Sequence, residues 1–187
     1  MGLVSRRGLL LGVSAGAAAS VFSSAASATI VRALSLPALV QSSRRIVVVT
    51  ALAAESHFEE IGRRRRVVTD TRVRVEELVA KEASSETELL IRTLGGSIGR
   101  LGERVDGQAR LVTGEPCLAF LLQGPDDLHY VNGMAQGHYP LSADAKRQLA
   151  SSPDLPKIID FDSSAVKALV GSELSAARSR IQGLVQR

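Results

Sequence analysis

Residues 111–140 read LVTGEPCLAFLLQGPDDLHYVNGMAQGHYP, and this stretch decides the fold. Residues 117–122 (CLAFLL) form a continuous apolar run of strand length. Gln123-Gly124-Pro125-Asp126-Asp127 follows with strong turn chemistry, and residues 128–134 read as a returning strand. A strand apolar on both faces is one covered on both sides. A four-residue loop over 124–127 would set Phe120 opposite Val131 and Leu121 opposite Tyr130. The hairpin is therefore the centre of a small β domain. Its continuation, residues 132–139, is polar and glycine-rich and is harder to justify by packing.

Upstream, residues 45–53 (RIVVVTALA) are β-branched enough to predict a strand, and a looser segment follows over 55–61. Residues 67–78 alternate, with Val67, Thr69, Thr71, Val73 and Val75 on one face and Asp70, Arg72, Arg74 and Glu76 on the other. Period two with one charged face marks a strand that packs on a core with its back to water. Residues 88–94 (ELLIRTL) supply the next strand, and 110–112 are expected to resume one. Between them lie Gly95, Gly96, Gly99, Gly102 and Gly107, a density that implies tight turns and breaks any helix.

Residues 35–40 (SLPALV) predict a short helix capped by Ser35, with Pro37 in its first turn. Residues 142–156 read as a surface excursion and 157–161 as a last short strand. From 163 onward the period becomes helical. Val166, Leu169, Val170, Leu174, Ala177, Ile181, Leu184 and Val185 form one stripe, with Gly171 placed to divide it into two helices. The fold class expected is mainly β: a small OB-like barrel over 29–161, with a short N-terminal helix and an amphipathic helical segment over 162–187.

Residues 1–28 read as a signal peptide. A basic start holding Arg6 and Arg7 precedes an apolar stretch rich in Gly, Ala and Ser, and Ala26 and Ala28 supply small residues for cleavage before Thr29. The stretch is too short and too weakly apolar to span a bilayer. Ser5-Arg6-Arg7-Gly8-Leu9-Leu10 resembles the twin-arginine export signal, which carries proteins folded before export; the general secretory route is the alternative. The expected location is periplasmic or extracellular, with no stable membrane anchor after cleavage.

Composition narrows the function. The chain has 23 Lys+Arg against 19 Asp+Glu, and removing Arg6 and Arg7 leaves 21 against 19. That balance does not suit a nucleic-acid binder. The run Arg63-Arg64-Arg65-Arg66 is the local exception, read as a solvated turn between strands or as a patch for phosphate or an acidic partner. Aromatic residues are 3% of the chain, too few for stacking platforms. Cys117 is the single cysteine, so no internal disulfide forms, and its apolar setting suits an inert thiol.

Chemistry-bearing patterns are sparse. Gly95-Gly96-Ser97-Ile98-Gly99 matches G-x-S-x-G, whose glycines permit the strained turn that exposes a nucleophilic serine. The glycines that follow do not allow the helix this motif needs. Catalysis would also require Ser97 within hydrogen-bond reach of His57, His129 or His138. Those histidines show no metal-ligand spacing, and Asp126-Asp127 is explained by turn formation. Neither cofactor nor metal is expected.

SLPALVQSS (35–43), TDTRVRVEELV (69–79), TLGGSIG (93–99), GEPCLAFL (114–121) and GMAQGHYP (133–140) resemble segments of an uncharacterised family of exported bacterial proteins. The order of proline-bearing helix, long strand, alternating strand, third strand and hairpin is similar to the netrin-like OB-barrel domain of tissue inhibitors of metalloproteinases. That resemblance implies a barrel and an inhibitor-like role. Those inhibitors present an N-terminal cysteine to the target's zinc, whereas Thr29 would start this mature chain, and their framework disulfides are absent. The zinc-chelating mechanism does not carry over.

The function expected is therefore non-catalytic binding of a secreted or periplasmic protein. The surface expected to carry it comprises Gly95, Gly96, Ser97, Gly99, Gly133, Gln136, Gly137, His138 and Tyr139. Two other readings stay open: a small exported serine hydrolase using Ser97, and an envelope-associated structural module using the C-terminal helix.

Overall fold

A computed structural model describes residues 29–81, 86–125 and 127–186. The signal residues Arg6, Arg7, Ala26 and Ala28, and Asp126 of the turn, lie outside the described residues. In chain order the elements are β1 (Ile30–Arg32), α1 (Leu36–Ser42), β2 (Arg45–Ile61), β3 (Arg64–Lys81), β4 (Glu88–Leu94), β5 (Gly96–Ile98) and β6 (Leu101–Glu103). They continue with β7 (Pro116–Gln123), β8 (Leu128–Val131), β9 (His138–Pro140), β10 (Lys157–Ile159), α2 (Ala165–Leu169) and α3 (Leu174–Val185). The fold is mainly β.

Its centre is a six-stranded sheet of order β2-β3-β4-β8-β7-β9, in which β2 also pairs with β7. Neighbours are antiparallel except for β4 and β8, which run parallel. The CLAFLL run explains this centrality. Side chains alternate along a strand, so Cys117, Ala119 and Leu121 enter one hydrophobic cluster while Leu118 and Phe120 enter another. Strand β2 divides in the same way, with Val47 and Val49 on one side and Ile46 and Val48 on the other. One cluster lies among β2, β3, β4, β7 and β8; the other is filled by α1, α2, α3 and β9. The helices therefore share a core with the sheet and do not form a separate layer of their own.

The N-terminal helix forms as its residues dictate. Ser35 accepts a hydrogen bond from the Ala38 amide at 3.3 Å, Pro37 sits in the first turn, and Leu36, Leu39 and Val40 are buried. Gly171, at φ 81°, separates α2 from α3. Leu174, Ala177 and Ile181 are the buried face of α3, whereas Val170 and Val185 of the expected stripe stay exposed. No described helix is long and apolar enough to cross a membrane.

Three local expectations are corrected. First, the segment 55–61 is not loose but continues β2 against β3, as far as Ile61 opposite Arg64. Glu59 stands opposite Arg66 and Glu60 opposite Arg65 in the register, while the ion pairs formed here are Glu59 with Arg92 and Arg66 with Glu103. Second, the central hairpin pairs Leu121 with Val131 and Leu122 with Tyr130, one residue away from the expected register. Gly124 stays in the ladder, its amide donating to the Leu128 carbonyl at 2.8 Å. A Cβ there would stand 2.3 Å from the Tyr130 ring, so any larger residue would have to displace that ring. Third, residues 110–112 form no strand, and the chain is held instead at Thr113 and Gly114 against Ala51. Residues 142–156 do run without a named helix or strand, yet Leu149 is buried among the helices.

Candidate functional site

The nine residues expected to form one surface separate into two groups. Gly95, Gly96, Ser97 and Gly99 belong to the hairpin β5–β6, which folds over the β2–β3 ribbon. In the second group Gly133 is half-buried, and Gln136, Gly137, His138 and Tyr139 are buried and serve as scaffold, which corrects the expectation of a contact surface there.

Each scaffold residue has a neighbour that accounts for its burial, though the buried Tyr139 hydroxyl has no hydrogen-bond partner among the described residues. The Gln136 side chain accepts from the Leu34 amide at 2.9 Å and donates to the Arg32 carbonyl at 3.0 Å, so its amide completes the hydrogen bonding at the end of β1. His138 Nδ1 lies 3.0 Å from Ser152 Oγ, and burial pushes its ring down to about 4. Tyr139 is 0% exposed and meets Phe120 edge-on, with ring centroids 6.0 Å apart. A Cβ on Gly137 would meet the Asn132 carbonyl oxygen at 2.0 Å, and one on Gly133 would meet Leu34 at 2.4 Å. These glycines let the chain approach itself. Asn132 in turn donates to Ser42 Oγ at 2.8 Å and Ser43 Oγ at 3.0 Å, fastening the hairpin to the end of α1.

The β5–β6 hairpin is seated by equally specific contacts. Gly96 has φ 140°, and a Cβ there would stand 2.2 Å from Thr69 Oγ1 and 2.4 Å from Ser56 Oγ. Thr69 donates to the Gly95 carbonyl at 2.6 Å and shares a 2.8 Å hydrogen bond with Ser56. Glu103, ending β6, accepts from the Val67 amide at 2.7 Å and from the Arg66 guanidinium. The Val67 amide, and then Arg66, hold the Glu103 carboxyl below the usual carboxylate range. The base of the hairpin is thus fixed, while its tip reaches water. Gly99 has open space around its Cβ position, and Leu101 is 64% exposed, more than any other large apolar side chain among the described residues.

Beneath the hairpin base lies a cleft of about 300 Å³ lined in part by Thr69, Thr71, Thr93, Gln108, Ala109 and Leu111. It forms at the end of β4, beside Thr69 and Thr71 of β3, and residues 103–105 and 108–111 also line it. Arg104 and Asp154 close part of its rim, 2.7 Å apart.

The Ser97 amide donates to Ser56 Oγ at 3.3 Å, and its hydroxyl has no hydrogen-bond partner among the described residues. No hydrogen bond joins it to any of the three histidines among the described residues. His57 follows Ser56 along β2 and so faces the other way, 3.8 Å from a Glu59 carboxylate oxygen and 4.0 Å from one of Asp70. His138 is engaged by Ser152, and His129 is buried against β4 and β7, where burial and then the Arg45 charge lower its affinity for a proton. Cys117 is buried, which pushes its thiol up to about 12 and leaves it protonated at neutral pH.

Two of the four arginines of the run are engaged by the fold, while Arg63 and Arg64 are exposed. Arg65 covers the Phe58 ring at 4.0 Å, and Arg66 holds Glu103. On the far face of the ribbon Arg92 grips Asp70 with two bonds of 2.6 and 2.7 Å and also meets Glu59. Reasoning from sequence missed this grip and the cleft, because both are made by cross-strand neighbours far apart in the chain. It also missed Leu101, for which the available signal is an apolar residue between Gly99 and Gly102 in a turn-rich segment.

No protein-family model matches the chain, and no curated protein matches it.

Proposed function

We propose that this protein is an exported, non-catalytic binding module that engages a secreted or periplasmic protein through the tip of the β5–β6 hairpin. The observation that carries the reading is Leu101, a large apolar side chain held in water on a hairpin whose base is fixed by Glu103 and Gly96. Holding an apolar anchor in place before binding lowers the ordering cost of association. The basic start and small-residue motif of residues 1–28 support export, with Arg6 and Arg7 favouring the twin-arginine route.

The finer architecture belongs to the same reading: an OB-like barrel, shared with the netrin-like inhibitor domains in outline. Support comes from the order β2-β3-β4-β8-β7, the return pairing of β7 to β2 and the single parallel pair β4–β8. A shared outline is a weak warrant for shared activity, so the hairpin carries the functional argument.

The test compares the purified mature chain with Leu101→Asp and with Phe161→Asp, a control at another exposed apolar residue. Each is used to capture proteins from the extracytoplasmic fraction. The expected result is a protein retained by the wild type and Phe161→Asp and lost with Leu101→Asp. Retention by all three would contradict the assignment.

A further inference from the structure

We propose that the cleft under the hairpin binds a small carboxylate with a short aliphatic body. This goes beyond the hairpin's protein partner, and the two readings stand or fall separately. The first observation is Thr71. It is 2% exposed, lies on the same strand face as the buried Val73 and lines the cleft. Its hydroxyl has no hydrogen-bond partner among the described residues, whereas the neighbouring Thr69 is fully engaged with Ser56 and the Gly95 carbonyl. Lacking a partner, the Thr71 oxygen keeps some access to solvent. Here the open direction is the cleft. Thr93 and Gln108 line the same space, and their side chains likewise have no hydrogen-bond partner among the described residues. Together these groups offer converging donors to an acceptor held between them.

Charge identifies the acceptor. Four charged residues line the cleft: Glu103, Arg104, Arg110 and Asp154. Glu103 is occupied by Arg66 and the Val67 amide, and Arg104 is paired with Asp154 at 2.7 Å and lies 3.7 Å from Asp106. Arg110 has no ion-pair partner among the described residues. The two carboxylates are therefore neutralised by protein cations, and one guanidinium remains for a ligand. The aliphatic body follows from the rest of the lining. Ala109 and Leu111 continue the interior hydrophobic cluster into the cleft, and no aromatic ring lines it. Flat aromatic acids would find no stacking surface, and about 300 Å³ confines the ligand to a few carbons.

Such a carboxylate could be a free short-chain acid or the C-terminus of a polypeptide, and the test separates the two. Amide resonances of the full mature chain are followed while sodium butyrate, butyramide, and a short Ala-rich peptide with a free or an amidated C-terminus are titrated. The expected result is saturable shifts at Thr71, Thr93 and Gln108 with butyrate, with the free-ended peptide, or with both, and none with either amide. Whichever acid binds more tightly names the source. Arg110→Gln should weaken binding by about tenfold and remove its salt dependence. Thr71→Val should abolish it while Thr71→Ser retains it, so a mere packing defect at this buried position is told apart from loss of the hydroxyl. Leu101→Asp should leave the titration unchanged. Butyramide binding as well as butyrate, or no saturable shift from any acid on a folded spectrum, would overturn the proposal.

Discussion

The stretches 95–107 and 133–139 look alike in sequence, each glycine-rich and poor in large apolar residues, yet the fold uses them in opposite ways. In the second, Gly133 and Gly137 bring backbone against Leu34 and Asn132, and Gln136, His138 and Tyr139 close over the core. In the first, Gly95 and Gly96 make the same kind of approach to Glu103, Thr69 and Ser56, but the hairpin they seat carries Leu101 out into water. Clustered glycines report that something comes close to the backbone. They do not report whether it is the protein itself or a partner.

The comparison can be broken most severely at Gly137. Gly137→Ala places a Cβ against a backbone carbonyl that cannot rotate aside, and we expect a loss of roughly 4 kcal/mol in denaturant unfolding. A loss under about 1 kcal/mol would mean that this stretch is not the scaffold described.

His138 gives the next largest effect, through pH. Its folded-state value is pushed down to about 4 by burial, against 6.5 for an ordinary histidine. Between those values the unfolded chain binds a proton that the native protein does not. Stability is therefore full above about pH 6.5 and falls as the pH drops to about 4, by about 3 kcal/mol. Burial lowers His129 in the same direction, and Glu103, held below the usual carboxylate range, adds a further loss at lower pH. The diagnostic is consequently the difference between wild type and His138→Gln in unfolding at pH 7 and pH 4. The variant should show the shallower dependence, and identical slopes would place His138 in water.

Smaller effects sharpen the other side. Gly96→Ala meets the hydroxyls of Thr69 and Ser56, which can shift, at a φ that side chains disfavour. It should cost about 1–2 kcal/mol and loosen the hairpin, read as faster amide exchange across β5 and β6. Gly99→Ala meets nothing within 4 Å and carries only the strain of φ 60°. Its cost should be about 1 kcal/mol in the same unfolding assay.

Much of the fold was legible because local patterns carried it. CLAFLL announced a strand covered on both faces, the alternation over 67–78 announced its neighbour, and Ser35 and Pro37 announced the first helix. The hairpin register was not legible, because it turns on Gly124 making room for Tyr130, a contact made only once the strands pair. Half of the expected surface was misplaced for a similar reason. Gln136 looks like a solvent residue until β1 and the residues just after it present the Arg32 carbonyl and the Leu34 amide to it. The cleft was invisible as well, since Thr71, Thr93 and Gln108 meet only through the sheet and the segment that crosses its end.

The most direct test of the division between scaffold and contact surface is site-specific photo-cross-linking in the extracytoplasmic fraction. A photoreactive residue is placed at Leu101 in one sample and at Phe161 in another. The account predicts a discrete protein adduct from position 101 and none from position 161. An adduct from position 161 with none from 101 would contradict it.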